Sequence, residues 1–353
     1  MRADIAVIAG DGIGPEVTLE AVRVLRALAD RHGHVFTLTE VPFGGAAIDL
    51  HGDPLPPATL EACRSAHAVL LGAIGGPKWS TPQTKVRPES GLLRLRRELG
   101  VYANLRPVRM HPALRGVSTL KPEIIDGVDM VFVRELTGGI YFGAKTRDAD
   151  KATDLCTYTV GEVERIVRVA ARLARARRRR LLSIDKSNVL ETSRLWREVC
   201  ERVVRAEFAD VTLEHMLVDS AAMQLLRRPR EFDVAVTENM FGDILTDEAS
   251  MLCGSLGLLP SASLGDGSRG LYEPIHGSAP DIAGQGIANP YGAILSAALL
   301  LRHSLHLEQE ARAVELAVDR AIGDGVRTPD IAPPGHRPAS TQDVGNAVLA
   351  ALG

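Results

Sequence analysis

Short apolar runs alternate along the chain with longer segments in which apolar residues recur every three or four positions. The short runs have the composition of buried strands, and the periodic segments have the pattern of amphipathic helices. Strands are predicted at residues 4–9, 35–40, 68–72, 104–108, 128–133, 181–185, 213–219 and 232–236. Helices are predicted at residues 15–31, 89–97 and 160–180, and from about residues 57, 290, 308 and 341. This alternation of strands and helices predicts an α/β fold.

A glycine-rich turn follows the first strand, with Gly10, Gly12, Gly14 and Pro15 leading into the first helix. The glycines permit a tight turn, and proline suits the first turn of a helix. The spacing differs from the GxGxxG of a Rossmann dinucleotide site, and no acidic residue ends a second strand about 20 residues later. The sequence therefore predicts an α/β fold that is not a Rossmann fold.

Three arginines occupy positions from which they could bind one anion together. Arg96 is on a helix, whereas Arg106 and Arg134 lie at strand ends. Guanidinium groups bind carboxylates in a bidentate manner, so three of them together indicate a di- or tricarboxylate ligand. Each arginine alone is more commonly a surface ion pair.

Acidic residues follow two of the later strands. Asp243 and Asp247 are one helical turn apart, and Asp219 ends the strand predicted at residues 213–219. Carboxylate oxygens suit a hard cation such as Mg²⁺ or Mn²⁺, although acidic residues are also common at solvated helix N-termini. Lys186, at the end of another strand, is a candidate base.

Composition narrows the classes of function. A net charge of −3 does not favour a nucleic acid or an anionic membrane, and the run Arg177–Arg180 is interpreted as a solvated helix end. No apolar run is long enough to span a membrane, and the N-terminus lacks a signal-peptide pattern. The four scattered cysteines predict reduced thiols and a cytoplasmic protein.

The order of these features predicts a discontinuous first domain, residues 1–101 plus 254–353, with a second domain at 102–253. An arm is expected at about residues 144–160, which are polar and lack a helical pattern. Segments rich in Gly, Ser and Pro at 255–263 and 273–284 are expected to form loops whose N–H groups can bind an anion.

Five motifs together resemble those of the β-decarboxylating dehydrogenases, over residues 5 to about 350. They are NLRP at 104–107, RELTGGIY at 134–141, DKSNVL at 185–190, GDILTD at 242–247 and HGSAPDI at 276–282. The resemblance implies a two-domain fold with a large, twisted mixed sheet flanked by helices. It also implies a homodimer whose active sites are shared between subunits, with no nucleic-acid or membrane partner.

The resemblance also implies a role for each matching residue. Arg96, Arg106 and Arg134 would hold the carboxylates of a malate. Asp243 and Asp247 of one subunit would bind Mg²⁺ or Mn²⁺ together with Asp219 of the other, which also faces the substrate. Lys186 of the neighbouring subunit would be the base, acting through water, and Tyr141 the acid.

NAD is the cofactor that the resemblance implies, because Asp281 stands where NAD users of the family bind the adenosine ribose. Its carboxylate would repel a 2′-phosphate, and Ile282 offers that phosphate no donor. The residues expected to contact NAD are Gly76, Glu89, His276, Gly277, Ser278, Ala279, Pro280, Asp281, Ile282 and Asn289.

Substrate choice would depend on Leu92 and Leu93, with Val189 from the partner subunit. Leucines suit an isopropyl group, so the expected substrate is 3-isopropylmalate, converted to 4-methyl-2-oxopentanoate and CO₂ as in leucine biosynthesis. Sister activities on D-malate, tartrate or homoisocitrate are the alternatives, since one methylene of pocket contact is worth only ~1–3 kcal/mol. A non-catalytic dimer, or RNA binding through residues 175–180, is the alternative of another class.

Overall fold

The computed structural model describes all 353 residues and contains both helices and strands throughout. The strands are β1 (Arg2–Gly10), β2 (Val35–Glu40), β3 (Ala68–Ala73), β4 (Ala103–Arg109), β5 (Asp129–Glu135), β6 (Lys145–Arg147), β7 (Ala152–Asp154), β8 (Arg180–Asp185), β9 (Thr212–Leu217), β10 (Val234–Thr237), β11 (Pro260–Leu264) and β12 (Gly270–Pro274). The helices are α1 (Gly14–His32), α2 (Gly44–His51), α3 (Pro57–Ser65), α4 (Pro88–Leu99), α5 (Pro122–Ile125), α6 (Val160–Ala176), α7 (Glu191–Glu207), α8 (Val218–Arg227), α9 (Asn239–Cys253), α10 (Tyr291–His303), α11 (Glu308–Gly323) and α12 (Thr341–Leu352). The predicted α/β class is confirmed.

The chain divides into two compact units, called here unit 1 (Met1–Val101 with Gly254–Gly353) and unit 2 (Tyr102–Cys253). In unit 1 the strand order is β2-β1-β3-β12-β11, with only the β11–β12 pair antiparallel. Helix α1 packs against α10 and α12, and α10 is buried on nearly all sides. A cluster that includes Ile8, Phe43, Leu55, Val69 and Leu271 forms part of the core. No helix in the chain has the length and apolar character needed to cross a membrane.

Unit 2 has the strand order β4-β5-β10-β8-β9, in which only β4 and β5 are antiparallel. Helix α6 packs against α7, and α8 packs against α9. Strands β6 and β7 form a separate, exposed hairpin within the segment where the sequence predicts an arm. The parallel strands β5, β8 and β10 all end at the same edge, which is where several candidate site residues follow them.

Three local predictions are wrong. The helix predicted at residues 160–180 ends at Ala176, where the N–H groups of Arg177 and Arg179 both turn back to the Ala174 carbonyl. Strand β9 ends at Leu217, so Asp219 lies in the first turn of α8. Part of the predicted loop at 255–263 pairs with β12 as strand β11.

The basic run after α6 is held by carboxylates and carbonyls. Arg177 Nε and the Arg178 backbone N–H bind the two oxygens of Asp233 at 2.8 and 3.0 Å, and the Asp233 side chain is fully buried. Arg180 pairs with Glu214 at 3.0 Å in an exposed position. Interpreting the run as a solvated face is therefore wrong for Arg177, because its guanidinium compensates a buried acid.

Replacing Asp233 by Ala should lower the free energy of unfolding by about 1–3 kcal/mol, because Arg177 Nε and the Arg178 N–H would lose a fully buried acceptor. Glu214→Ala is the matched control, since it breaks an exposed Arg–Glu pair and should cost ~0–1 kcal/mol. Urea unfolding followed by circular dichroism measures both. Equal effects of the two substitutions would show that burial of Asp233 contributes nothing.

Candidate active site

The register of β4 and β5 places three candidate side chains on one face of unit 2. Asn104 lies directly opposite Arg134 across the antiparallel pair, and Arg106 is two residues further along β4. Side chains two residues apart on a strand share a face. Helix α9 packs over β4 and β5, and its residues Asp243 and Asp247 meet the arginines there.

Arg134 is the centre of this cluster and is almost fully buried. Its Nη1 forms an ion pair with Asp243, and its Nε and Nη2 donate to Oδ1 of Asn239 at 3.1 and 2.8 Å. A Cβ at Gly242 would lie 2.7 Å from Cγ of Arg134. Glycine at this position therefore allows the arginine side chain to cross α9 in contact with its backbone.

Arg106 reaches both aspartates of α9. Its Nη2 lies 3.6 Å from Asp243 Oδ1 and its Nη1 lies 3.7 Å from Asp247 Oδ1. Nη1 also donates to the Thr246 hydroxyl at 2.5 Å. Each of the two buried guanidinium groups thus lies within 4 Å of at least one of the two carboxylates. With two positive and two negative charges, the cluster is nearly neutral in total charge.

Asp243 and Asp247 fit a divalent cation by their chemistry and exposure. Desolvation and the neighbouring Asp243 carboxylate raise the pKa of Asp247, while Arg106 opposes the shift. The side chains of Asp243 and Asp247 are 36% and 60% exposed, so a ligand can reach both carboxylates. Mg²⁺ or Mn²⁺ would relieve the repulsion between the two carboxylates.

Tyr141 lies beside the same aspartate. Its hydroxyl donates to Asp243 Oδ2 at 3.1 Å, and the Arg134 guanidinium is 5.9 Å from the ring centroid. Burial, and then the Asp243 carboxylate, raise the pKa of Tyr141 to about 12. The phenol therefore keeps its proton at neutral pH and has the form that a general acid needs.

Lys186 and Asp219 form a second group in unit 2. Lys186 Nζ lies 2.7 Å from Asp219 Oδ1, and this hydrogen bond lowers the pKa of the carboxyl group. Val189, which follows in the same turn, is exposed. No three His, Cys, Asp or Glu side chains of the chain are grouped closely enough to hold a metal ion. One chain thus presents the candidate metal ligands as a pair on α9 and a separate aspartate on α8.

Unit 1 carries the remaining substrate candidates on α4. Arg96 Nη2 binds Glu273 at 2.8 Å, and its buried Nε has no hydrogen-bond partner. An unpaired buried donor is unfavourable unless a ligand satisfies it. Leu92 packs against the core cluster, and Leu93 is half-buried.

The predicted cofactor residues of the last third lie in one loop of unit 1. Its Ser278 carbonyl accepts from the Ile13 N–H at 2.8 Å, and a Cβ at Gly12 would lie 2.0 Å from that oxygen. The glycine of the first turn is therefore required for contact with this loop. Asp281 is exposed and Ile282 is half-buried.

His276 and Asn289 lie at the two ends of the loop. The Nε2 atom of His276 is buried without a partner, and desolvation lowers the pKa of the ring. Asn289 donates to Asp330 at 3.0 Å and accepts from the Tyr291 N–H at 3.0 Å. A neutral imidazole with an unsatisfied nitrogen fits a dinucleotide that supplies a polar partner.

Gly76 and Glu89 belong to the same unit. Gly76 begins a short 3₁₀ turn at Pro77–Trp79, and its carbonyl accepts from the Ser80 hydroxyl at 2.9 Å. Glu89 is exposed in the first turn of α4, with Oε1 3.0 Å from where a Cβ of Gly75 would lie. The carboxylate of Glu89 thus lies next to Gly75, the residue before the expected Gly76.

Several residues of the site were missed by sequence reasoning. Glu16 binds the backbone N–H groups of Gly284 and Gly286, which holds the cofactor loop. Asn239 orients Arg134, and Glu238 accepts from the Phe241 N–H at 2.7 Å in the first turn of α9. Only Glu238 has a local signal, the capping distance of three residues.

Comparison with known proteins identifies the family. The family model described as isocitrate/isopropylmalate dehydrogenase matches residues 4–348. The chain is 60% identical to 3-isopropylmalate dehydrogenase of Anaeromyxobacter dehalogenans, covering 94% of this chain and 95% of the relative. It is 57% identical to 3-isopropylmalate dehydrogenase of Rhodopirellula baltica, covering 100% of this chain and 99% of the relative.

Solved structures agree with this result. Isocitrate dehydrogenase from Methylococcus capsulatus is 34% identical with a TM-score of 0.87, and 99% of each chain is covered. A β-decarboxylating dehydrogenase from Thermococcus kodakarensis is 40% identical with a TM-score of 0.80, covering 99% of this chain and 96% of that one. The resemblance seen in the motifs is confirmed, and the chain belongs to the isocitrate/isopropylmalate dehydrogenase family.

Proposed function

We propose that this chain catalyses the NAD-dependent oxidative decarboxylation of 3-isopropylmalate to 4-methyl-2-oxopentanoate and CO₂, a step of leucine biosynthesis. The observation that carries the proposal is the cluster of Arg106, Arg134, Tyr141, Asp243 and Asp247 on one face of unit 2. It combines cations for carboxylates, oxygens for a divalent metal and a protonated phenol. The choice of 3-isopropylmalate as the substrate is supported by the relatives named 3-isopropylmalate dehydrogenase.

In this proposal, substrate binding would depend on three arginines. Arg106 and Arg134 would bind a malate carboxylate, and the unsatisfied Nε of Arg96 offers a further donor. Asp243 and Asp247 would hold Mg²⁺ or Mn²⁺, together with Asp219 of the neighbouring subunit. When bound, this cation would polarise the C2 oxygen and stabilise negative charge on the enolate.

The reaction requires two proton transfers, one from the C2 hydroxyl and one to C3. NAD, when bound, would supply the hydride acceptor for C2. Lys186 of the partner subunit would take the proton of the C2 hydroxyl through water. The bond from C3 to its carboxylate would then break with loss of CO₂, and its electron pair would remain as an enolate. Tyr141 would return a proton to C3, because its raised pKa keeps the phenol protonated.

A homodimer with shared sites is part of the proposal. Helices α8 and α9 pack together, and they carry the candidate metal ligands. Both helices also expose large apolar side chains, an exposure typical of an interaction surface. These are Met223 (58% exposed), Leu226 (42%), Ile244 (61%) and Met251 (42%). A partner covering this face would bury them and bring a second Asp219 and Lys186 towards α9.

Unit 1 would bind NAD, and unit 2 would bind the metal and hold Arg106 and Arg134 for the substrate. The exposed Asp281 carboxylate supports NAD over NADP, since it would repel the like charge of a 2′-phosphate.

We place the enzyme in the cytoplasm, because its four cysteines are free thiols.

Comparing kcat/KM on 3-isopropylmalate, D-malate and isocitrate, with NAD and Mg²⁺, tests the proposed substrate. The half-buried Leu93 and the exposed Val189 are apolar, so 3-isopropylmalate should be preferred over D-malate by about tenfold or more. A preference for D-malate or isocitrate would assign the chain to a sister activity.

Mixed dimers test the shared site. Lys186→Met and Tyr141→Phe homodimers should each lose most activity, because each lacks one proton-transfer group. Unfolding and refolding the two variants in equal amounts should recover about a quarter of wild-type activity, since half of the dimers would contain one complete site. The single variants refolded alone are the control. An inactive mixture would show that each subunit completes its own site, and near-normal turnover by Lys186→Met would remove Lys186 from the mechanism.

Cofactor choice is tested by replacing Asp281 with Lys and Ile282 with Tyr together. The ratio of kcat/KM with NADP to that with NAD should rise by about tenfold or more, because an ammonium replaces a carboxylate near the 2′-phosphate. Asp324→Lys makes the same charge change on an exposed aspartate after α11 and should leave the ratio unchanged. An unaltered ratio in the double variant would contradict the assignment of Asp281.

A further inference from the structure

Both buried arginines of unit 2's cluster are held along their Nε edge by an asparagine. The Oδ1 atom of Asn239 accepts from Nε and Nη2 of Arg134, and Oδ1 of Asn104 accepts from Nε of Arg106 at 2.7 Å. Asn104 is 0% exposed and Asn239 is 1% exposed. Each contact therefore fixes the plane of a guanidinium group from a position that solvent does not reach.

The surroundings fix which way the Asn239 amide faces. Its Nδ2 donates to the Gly138 carbonyl at 3.3 Å, so its oxygen is turned towards Arg134. The Asn239 N–H also donates to the Tyr158 hydroxyl at 3.0 Å, which anchors the first turn of α9. The acceptor is thus held in place by the loop after β5 and by the start of α9.

Two arginines elsewhere in unit 2 have a buried carboxylate as their orienting partner, whereas the carboxylates that pair with Arg106 and Arg134 are the partly exposed candidate metal ligands Asp243 and Asp247. Arg177 binds the buried carboxylate of Asp233 at 2.8 Å, and Arg197 binds that of Asp185 at 3.0 Å. A carboxylate partner orients a guanidinium but also cancels its charge, whereas an amide oxygen orients it and leaves the positive charge for another anion.

We propose that Asn104 and Asn239 are positioning residues for substrate binding, which orient the two arginines by neutral acceptors so that their charge remains available to the malate carboxylates. This inference rests on the proposed function, in which Arg106 and Arg134 bind the substrate. A carboxylate at either position would keep the hydrogen bonds and weaken the attraction for the substrate.

Two substitutions at position 239 separate orientation from charge. Asn239→Ala removes the acceptor, and Asn239→Asp keeps it but adds a negative charge. Both should raise the KM for 3-isopropylmalate by about tenfold or more, with kcat changed by less than about threefold. The KM for NAD should stay at its wild-type value. The Mg²⁺ concentration for half-maximal rate should not rise in Asn239→Asp, because an added carboxylate one turn from Asp243 does not repel a cation.

Asn346→Asp is the matched control. Asn346 is an exposed residue of α12 whose Oδ1 accepts from Arg23 at 2.7 Å, so this variant adds the same charge at an Asn–Arg contact outside the site. Its kinetic constants should equal those of the wild type. Thermal unfolding of every variant identifies loss of fold.

The outcomes distinguish the inference from the proposed function. A folded Asn239→Asp with wild-type KM for 3-isopropylmalate would overturn the neutral-acceptor role, and a rise in Mg²⁺ requirement would point to a distorted α9 instead. Asn104→Asp repeats the test at Arg106 if Asn239→Asp does not fold, and if neither folds, an unchanged KM in Asn239→Ala overturns the inference. If the wild-type enzyme oxidises neither 3-isopropylmalate nor D-malate, the proposed function is overturned, and the inference with it.

Discussion

Two guanidinium groups and two carboxylates share one face of unit 2, and much of the local structure serves to keep them there. Buried charges are costly unless they are paired, so Arg106 and Arg134 need the aspartates of α9 as long as no ligand is bound. The register of β4 against β5 sets the spacing of the arginines. The absence of a side chain at Gly242 lets α9 approach Arg134 closely enough for the ion pair to form.

The same constraint explains why other acids are buried at the strand ends of unit 2. Asp233 and Asp185 are matched by Arg177 and Arg197, and Glu135 accepts from Arg165 and from the N–H groups of Thr137 and Gly138. These pairs hold loops that precede or follow the strands, so their charges serve the fold. The arginines of the cluster are held partly by amides and a hydroxyl, and their positive charge stays available to an anion.

Reasoning from the sequence succeeded where a signal is local. Period and composition predict the α/β class and a last helix from about residue 341, and α12 begins at Thr341. It failed where a neighbouring element competes with local propensity. The predicted helix at 160–180 does not continue through its arginine-rich end, because the backbone N–H groups there donate to the Ala174 carbonyl and to Asp233. A helical pattern in the sequence reveals neither contact. Residues 260–264 looked like loop because of their composition, but pairing with β12 makes them a strand.

By itself, the sequence determined the family, the chemical types of the candidate site residues and the one-turn spacing of Asp243 and Asp247, because these depend on residue identity and on the period of one helix. Only the tertiary structure decided how each charge is compensated. Glu16 reaches Gly284 across 268 residues, and Asn239 reaches Arg134 across 105. Such contacts depend on strand register and on close approach at glycines, and no local pattern records which acceptor will face which arginine. The metal ligands illustrate the division: residue types indicated three aspartates, and the fold keeps Asp219 beside Lys186 while the other two lie together on α9.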